Sequence, residues 1–179
     1  MSRPVPVGDP EGVFSIEGPP RIDVVRQRMR VGETEQCWHL VTAQRGAPGA
    51  VIVGVQEGRL ALGRHWRWST GDSRWEFPRG FGEPDETPTA TGAREFYEEL
   101  GLQALSVRDI GVFWPDSGLL GNSVHVIEVV PDVSAGRPGD GEFEHVVWLT
   151  PSEVERLIAS GELTDGMTLA AFQIWRLRG

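Results

Sequence analysis

The chain has 179 residues with a single cysteine, and its 26 acidic residues exceed its 17 basic residues to give a formal net charge of −9. This length is enough to bury one hydrophobic core without disulfides. The acidic balance argues against nonspecific binding to nucleic acid or to anionic membranes, and no stretch approaches the roughly eighteen apolar residues of a membrane-spanning helix. We therefore expect one soluble domain that has no membrane or nucleic-acid partner.

The N-terminal region predicts an irregular lead-in followed by two antiparallel strands. Residues 1–13 are rich in proline and glycine, and no apolar signal-peptide core follows them. Residues 22–30 and 36–43 alternate apolar and polar side chains on either side of a turn at Gly32, which is the pattern of a β-hairpin. Cys37 has no disulfide partner, which fits a reducing compartment and a cytoplasmic location. We expect its thiol to be packed in the core.

The next segments predict two strands, a loop and a helix. Residues 50–56 form a short apolar run, and residues 59–66 alternate in the manner of a strand. Residues 75–78 then lead into a glycine-containing loop. Thr87 and the proline after it supply an N-cap hydroxyl and a first helical residue, and Gly101 suits the left-handed turn that ends a helix.

The predicted helix carries an acidic face. Glu95, Glu98 and Glu99 stand at positions i, i+3 and i+4, so their carboxylates share one side of the helix and repel each other. Such a set is explained either by a solvated acidic surface or by a bound divalent cation, and Mg²⁺ is usually held by carboxylates together with substrate phosphates. Gly92 costs about 1 kcal/mol relative to alanine inside a helix, which a close contact with a neighbouring element would explain.

The remainder of the chain predicts strands interleaved with two helices. The expected strands cover residues 107–112, 123–130 and 143–149, and the expected helices cover residues 151–160 and 165–178. A turn-rich segment at 113–122 and a flexible glycine-rich loop at 134–142 separate the strands. The pattern indicates a mixed α/β sandwich.

The segment from Gly80 to Leu102 resembles the Nudix hydrolase box. The fixed positions of that pattern are occupied by Gly80, Glu86, Arg94, Glu95, Glu98, Glu99, Gly101 and Leu102. The one departure is Phe96, where an aliphatic residue is usual, and an aromatic side chain can face the core from that position equally well. The resemblance implies an α+β fold of the Nudix α/β/α sandwich type, with a mixed sheet and an N-terminal antiparallel β-hairpin region.

The same resemblance implies roles for the box residues. Metal ions would be held by Glu95, Glu98 and Glu99 together with a backbone carbonyl from Arg79 or Gly80, and Glu98 would also act as a catalytic residue. Glu86 and Arg94 would form a structural pair in which the arginine neutralises and orients the acidic face. The metal would be Mg²⁺, with Mn²⁺ as the alternative.

From about residue 22 onward the chain resembles the ADP-ribose pyrophosphatase branch of the Nudix enzymes. Pro115 stands near the position at which that branch has a proline that helps to select ADP-ribose. The segment GDGEFEHVVWLTPSEVERLI resembles its mobile loop, strand and helix, and GELTDGMTLAAFQIW resembles its C-terminal helix. By resemblance, Glu142 on the mobile loop is the catalytic base, and Glu144 is the alternative.

The resemblance to this branch also implies the substrate contacts. Arg67 matches an arginine that contacts the diphosphate, and Arg64 and Arg79 are further candidates, each with a surface role as the alternative. Trp38 is the candidate for stacking on the base, with core packing as its alternative.

The resemblance also implies a division of the chain and an oligomeric state. Residues 1–13 would be an irregular lead-in, residues 14–45 an N-terminal β region that forms a homodimer, and residues 46–179 the Nudix hydrolase domain.

We therefore predict a metal-dependent pyrophosphohydrolase of nucleotide metabolism. Its expected substrate is a nucleoside diphosphate linked to another moiety, first of all ADP-ribose, which would give AMP and ribose 5-phosphate. Another nucleotide sugar, NADH or a diadenosine polyphosphate are alternative substrates. A noncatalytic nucleotide sensor on a Nudix scaffold is an alternative from another class, although such a protein would be expected to lack one or more box glutamates. An RNA-end hydrolase would need a basic track, which the acidic composition disfavours.

Overall fold

The computed structural model describes residues 3–178, with Ala135 described by its backbone alone. The chain divides into two compact units, Met1–Ala47 with Trp114–Ser123 and Pro48–Phe113 with Val124–Gly179. The first unit ends close to the predicted boundary at residue 45. It also includes Trp114–Ser123, which lies within the range predicted for the hydrolase domain. The predicted functional division stays a prediction. None of the helices in residues 3–178 has the length and apolarity of a membrane span.

The first unit is a four-stranded antiparallel sheet. Its strands are β1 (Val5–Pro6), β2 (Glu11–Ile16), β3 (Ile22–Val31) and β4 (Thr34–Ala43). Strands β1 and β2 both pair with β3, which also forms the predicted hairpin with β4 around Gly32 at φ 63°. A short 3₁₀ turn, Gln44–Gly46, follows.

Two expectations about this unit are wrong. The lead-in predicted to be irregular contains β1 and the first residues of β2, because pairing with the edges of β3 supplies backbone hydrogen bonds that no local apolar pattern announces. Cys37 is exposed rather than packed. It lies on β4, whose first seven residues are all exposed within this unit.

The second unit contains a seven-stranded mixed sheet and three helices. Its strands are β5 (Gly49–Gln56), β6 (Arg59–Arg67), β7 (Asp72–Glu76), β8 (Arg79–Phe81), β9 (Leu102–Phe113), β10 (Val124–Gly136) and β11 (Phe143–Leu149). Its helices are α1 (Pro88–Leu100), α2 (Pro151–Ser160) and α3 (Gly166–Arg178). The pairing of β5 with β10 is parallel, and the other pairings are antiparallel. Strands β7 and β8 were missed by the sequence analysis because both are short and neither alternates clearly.

Alternate residues of the central strands face two separate cores. Val51 and Val53 of β5 pack in the core that contains residues of α2 and α3, whereas Ile52 packs with Phe96 of α1 in the other. Because burying a phenylalanine or isoleucine side chain contributes about 1.5–3 kcal/mol, Phe96 fixes α1 against the sheet. The predicted α/β/α sandwich with a mixed sheet is confirmed.

The helix α1 begins and ends where the sequence predicts. The Thr87 hydroxyl accepts a hydrogen bond from the backbone N–H of Ala90, and Gly101 ends the helix in the left-handed conformation at φ 70°. Gly92 lies against β10, since a Cβ atom at this position would come within 2.6 Å of Ile127 Cγ2. The cost of a glycine inside the helix is therefore offset by a close helix–sheet approach.

Candidate functional site

Arg94 gathers three of the box carboxylates around one guanidinium. It donates hydrogen bonds to Glu86 at 3.0 Å, to Glu95 at 2.8 Å and to Glu98 at 3.1 Å. A further bond to the Phe81 carbonyl at 3.0 Å ties the helix to the preceding strand. The Arg94 guanidinium lowers the pKa of Glu86, and the acidic neighbours, Glu86 first, raise the pKa of Arg94. This is the arrangement expected of a structural pair that orients the acidic face.

Glu99 is the most buried of the box carboxylates. It is 6% exposed, and it accepts a hydrogen bond of 3.2 Å from the backbone N–H of Arg79. Burial raises the pKa of Glu99 to about 9, and the negative charges of Glu142, Glu95 and Asp140 add to the rise. Burial also raises the pKa of Glu95. At Glu95 burial outweighs the neighbouring Arg94 guanidinium, so the positive charge present does not fully offset the cost of ionising these carboxylates, and a bound cation would supply the remainder.

Gly80 leaves room for the carboxylate of Glu95. A Cβ atom built on Gly80 would lie 2.0 Å from the carboxylate carbon and from one oxygen of Glu95. Only glycine permits this approach, which brings the carboxylate against the backbone that carries the Arg79 and Gly80 carbonyls. The donors are all oxygens, as Mg²⁺ and Mn²⁺ prefer.

These donors do not yet form a closed ligand set. Within residues 3–178, no three His, Cys, Asp or Glu side chains converge closely enough to hold a metal ion. Glu98 is turned to Arg94 and Glu99 to the Arg79 amide. The residues fit a divalent cation in chemistry, charge and backbone clearance, and their side chains would have to exchange these hydrogen bonds for metal bonds.

The loop between β10 and β11 is tied to the end of the box helix. Its Arg137 N–H donates to the Gly101 carbonyl at 3.1 Å, and its Asp140 N–H donates to the Glu98 carbonyl at 2.9 Å. The loop was predicted to be flexible, but β10 extends as far as Gly136 and these two bonds fix the residues that follow. The site therefore includes a loop that is anchored on one side.

Glu142 lies at the free end of this loop. Its carboxylate is 3.1 Å from Nε2 of His65 on β6, and its negative charge contributes to the raised pKa of Glu95 and of Glu99. The Nδ1 atom of His65 faces the Trp66 carbonyl at 2.8 Å. Both ring nitrogens of His65 therefore face oxygen atoms that can accept a hydrogen bond, so the ring helps to hold the Glu142 carboxylate in place.

Glu144, the alternative base, has a different neighbour. It accepts a hydrogen bond from the Ser73 hydroxyl on β7. Ser73 pairs with Trp66, and side chains at these positions point to the opposite face of the sheet from those of His65 and Glu76. The structure thus brings Glu142, and not Glu144, into the electrostatic environment of the box.

Arg67 and Arg79 meet at a residue that the sequence analysis did not single out. Glu76 is 1% exposed and accepts bonds from Nε and Nη2 of Arg67. Arg79 Nη2 lies 3.0 Å from the same carboxylate, and Arg79 Nη1 lies 3.4 Å from Asp165. The acidic residue in the segment 75–78 was the available signal, but its partners lie on other strands and the sequence does not show them.

Arg64 is separated from these two arginines. Its guanidinium carbon lies 5.4 Å from the ring centroid of Trp75, on which His145 also packs edge-on. Three positions separate Arg64 from Arg67 on β6, so the two side chains point to opposite faces of the sheet. This geometry therefore argues against a role for Arg64 beside the box.

Trp38 and Pro115 belong to the first unit, whereas the box belongs to the second. Trp38 is 45% exposed on β4, so core packing does not describe it within this unit. Pro115 is exposed in the segment after β9. Their roles in binding a base or selecting a substrate stay predictions.

A cavity opens beside Glu99. Its volume is about 430 Å³, and its lining includes Glu99, Leu102, Arg137, Phe143 and Trp148. The walls are largely apolar, and a single acidic group, the predicted metal ligand, lies at the edge. The second unit therefore offers room for a bound molecule next to the box helix.

The chain is similar to known hydrolases of nucleotide conjugates. Residues 44–171 match the NUDIX domain family. A CMP-5'-(N-acetyl-N-hydroxy-3-aminopropyl)phosphonate hydrolase of Streptomyces rubellomurinus is 30% identical over 138 residues, which cover 74% of this chain and 66% of that protein, just under two thirds of its length. An ADP-ribose pyrophosphatase of Bacillus subtilis is 31% identical over 136 residues, which cover 73% of this chain and 74% of that protein.

A solved structure supports the fold. An ADP compounds hydrolase superposes with a TM-score of 0.77 at 15% identity, and the superposition covers 98% of this chain and 94% of that one. The family match covers more than half of the chain and includes the whole box. The chain therefore belongs to the Nudix hydrolase family, in the branch that resembles the ADP-ribose pyrophosphatases.

Proposed function

We propose that the protein is a Mg²⁺-dependent pyrophosphohydrolase that cleaves ADP-ribose to AMP and ribose 5-phosphate. The observation that carries the proposal is the position of Arg79 between two charged clusters. Its backbone N–H bonds to Glu99 of the acidic box, and its guanidinium shares Glu76 with Arg67. The residues predicted to bind a cation and those predicted to bind an anion thus adjoin one residue, as a metal-bound diphosphate requires.

The metal would be held by Glu95, Glu98 and Glu99 with a carbonyl of Arg79 or Gly80. When bound, the cation supplies neutralisation of the phosphate charge and acidifies a coordinated water. Since burial raises the pKa of Glu99 to about 9, this carboxyl is protonated at neutral pH in the metal-free protein and must lose its proton to become a ligand. Metal binding is therefore expected to release protons and to strengthen with pH.

Glu142 would accept the proton of the attacking water. Its carboxylate is exposed at the loop and within hydrogen-bond distance of His65, so it is oriented, reachable by water and within the electrostatic range of the box. A general base of this kind contributes typically about 10²–10⁴-fold to the rate. Arg67 would bind the diphosphate oxygens and hold the reacting phosphorus against the box.

The choice of ADP-ribose is supported by the similarity to the Bacillus subtilis ADP-ribose pyrophosphatase. The similarity to a CMP-phosphonate hydrolase favours a second candidate, a cytidine monophosphate joined to a phosphonate. Both substrates contain a phosphorus anhydride attached to a nucleoside, so the same charged clusters would serve either. Nucleotide sugars, NADH and diadenosine polyphosphates belong to the same chemical group.

The deciding experiment measures AMP, CMP or other nucleotide release from a panel of these compounds and capped RNA, with Mg²⁺, with Mn²⁺ and with EDTA. Turnover that needs metal and is fastest on ADP-ribose supports the proposal. Faster turnover of a cytidine conjugate keeps the chemistry and replaces the substrate. Binding of ADP-ribose without turnover of any compound favours a nucleotide sensor.

We further propose that the N-terminal unit forms a homodimer of a cytoplasmic enzyme. Large apolar side chains are exposed on its strands, namely Val13, Phe14, Ile16, Trp38 and Leu40. Leu40 pairs with Val25 and Trp38 with Gln27, so these two exposed side chains share one face of the sheet, and a second copy could cover that face and bring Trp38 to the base. Light scattering after size-exclusion chromatography tests this, with a single-chain mass as the contrary result.

A further inference from the structure

Glu76 is a buried carboxylate with an unusual number of cationic partners. Its side chain is 1% exposed, and it contacts Arg67 through Nε and Nη2 and Arg79 through Nη2. A buried charge is tolerated only when it is paired and hydrogen-bonded. Here the pairing is complete, because within residues 3–178 no buried side-chain nitrogen or oxygen lacks a partner.

The two arginines remain accessible although their shared partner does not. The side chains of Arg67 and Arg79 are 29% and 21% exposed. Arg67 uses Nε and Nη2 on Glu76, and Nη1 has no hydrogen-bond partner among the described residues. Glu76 thus fixes one end of the guanidinium and leaves the other end for a ligand.

Arg79 connects Glu76 to the box. Its backbone N–H donates to Glu99, and the residue after it is Gly80, on which the Glu95 carboxylate lies. Holding the Arg79 side chain between Glu76 and Asp165 therefore also fixes the backbone that faces two predicted metal ligands. A change at Glu76 reaches both clusters by short, contiguous contacts.

We propose that Glu76 is a positioning residue that orients Arg67 and Arg79 for an anionic diphosphate and holds the adjoining backbone against the box carboxylates. This inference rests on the proposed function and adds a residue that contacts neither phosphate nor metal. Without the carboxylate, Asp165 would be left as the neighbouring acidic partner of Arg79, and the two guanidiniums would lose the contact that gives them a common orientation.

The test measures binding of inorganic pyrophosphate and of ADP-ribose in EDTA by calorimetry, for the wild type, Glu76→Gln, Arg67→Ala and the double variant. Glu76→Gln is expected to raise both dissociation constants about tenfold. In the Arg67→Ala background the same change is expected to have a smaller effect, because only the action of Glu76 through Arg79 remains.

Glu128→Gln is the matched control. Glu128 is likewise a largely buried carboxylate of the same sheet with two donors, Arg108 at 2.9 Å and Trp175 at 3.0 Å. It has no bond to the box or to Arg67 among the described residues. The Glu128→Gln variant should have a lower melting temperature than the wild type and the same two dissociation constants. If Glu76→Gln does not fold, Glu76→Asp keeps the charge, shortens the reach and is expected to weaken binding in the same direction.

The outcomes separate this inference from the proposed function. Unchanged pyrophosphate binding in a folded Glu76 variant, or an equal effect in both arginine backgrounds, overturns the positioning role. Wild-type protein that does not bind pyrophosphate overturns it too, since the arginines are then no anion site. Wild-type protein that binds pyrophosphate but turns over no nucleotide compound contradicts the proposed function alone.

Discussion

Two charged clusters in the second unit are both built from arginine–glutamate ion pairs, but with opposite ratios of arginine to glutamate. Around Arg94, one guanidinium serves several carboxylates, whereas around Glu76 one carboxylate serves two guanidiniums. Arg79 touches both clusters, by its side chain and by its backbone. Carboxylates are in excess in the first cluster and guanidiniums in the second. We infer that this excess charge, and not the ion pairs themselves, determines whether a cluster would attract a cation or an anion.

The largest effect is expected from removing charge in the acidic cluster. Glu99→Gln should lower kcat by about 1,000-fold, because a lost ligand forfeits several kcal/mol of metal-borne charge stabilisation. Steady-state turnover with Mg²⁺ measures this, and circular dichroism checks the fold. Glu83→Gln, at an exposed glutamate in the loop before α1, is the control. Retained activity in Glu99→Gln would remove the residue from the metal site.

The second prediction tests which loop carboxylate belongs with the acidic cluster. Glu142→Gln should reduce kcat by about 100-fold through loss of the general base, with metal affinity unchanged. Glu144→Gln should stay within about twofold, because its carboxylate bonds to Ser73. Turnover rates and Mn²⁺ titrations of both variants give the answer, and the reverse order of effects would assign the base to Glu144.

A smaller effect is expected from the basic cluster. Arg67→Ala should raise KM for the substrate about tenfold, as loss of a charge-assisted bond to phosphate predicts. Arg64→Ala is the matched variant on the same strand, and it should leave KM unchanged while losing its stacking on Trp75. Equal changes in KM for the two variants would show that the face of β6 on which an arginine lies does not decide whether it binds the substrate.

The last prediction concerns stability without metal, a property separate from turnover and binding. Burial raises the pKa of Glu99 from 4.5 to about 9, so between these values the unfolded chain has released a proton that the folded chain keeps. The free energy of unfolding in EDTA should therefore fall as pH rises from 5.5 to 8.5, by at most about 1.4 kcal/mol per pH unit. Denaturant titrations should show a weaker fall for Glu99→Gln. An equal fall in both proteins would contradict the assignment.

The box helix could be predicted almost completely because its signals are local. The N-cap at Thr87, the left-handed end at Gly101 and the shared face of the glutamates all depend on neighbours within one or two turns. The same holds for α2, where Thr150 forms a capping box with Glu153 three residues later. Strands β7 and β8 were missed since pairing with distant strands, rather than their own pattern, makes them strands.

The sequence by itself determined the family, the sandwich and the acidic helix face, because fixed spacing along one segment encodes them. Only the tertiary structure decided that Glu76 joins Arg67 to Arg79, that Arg64 lies on the other face of the sheet, and that the Glu142 loop is anchored to the box helix. These facts depend on pairings between segments far apart in the chain, and the charge balance of a cluster is defined only when those segments meet.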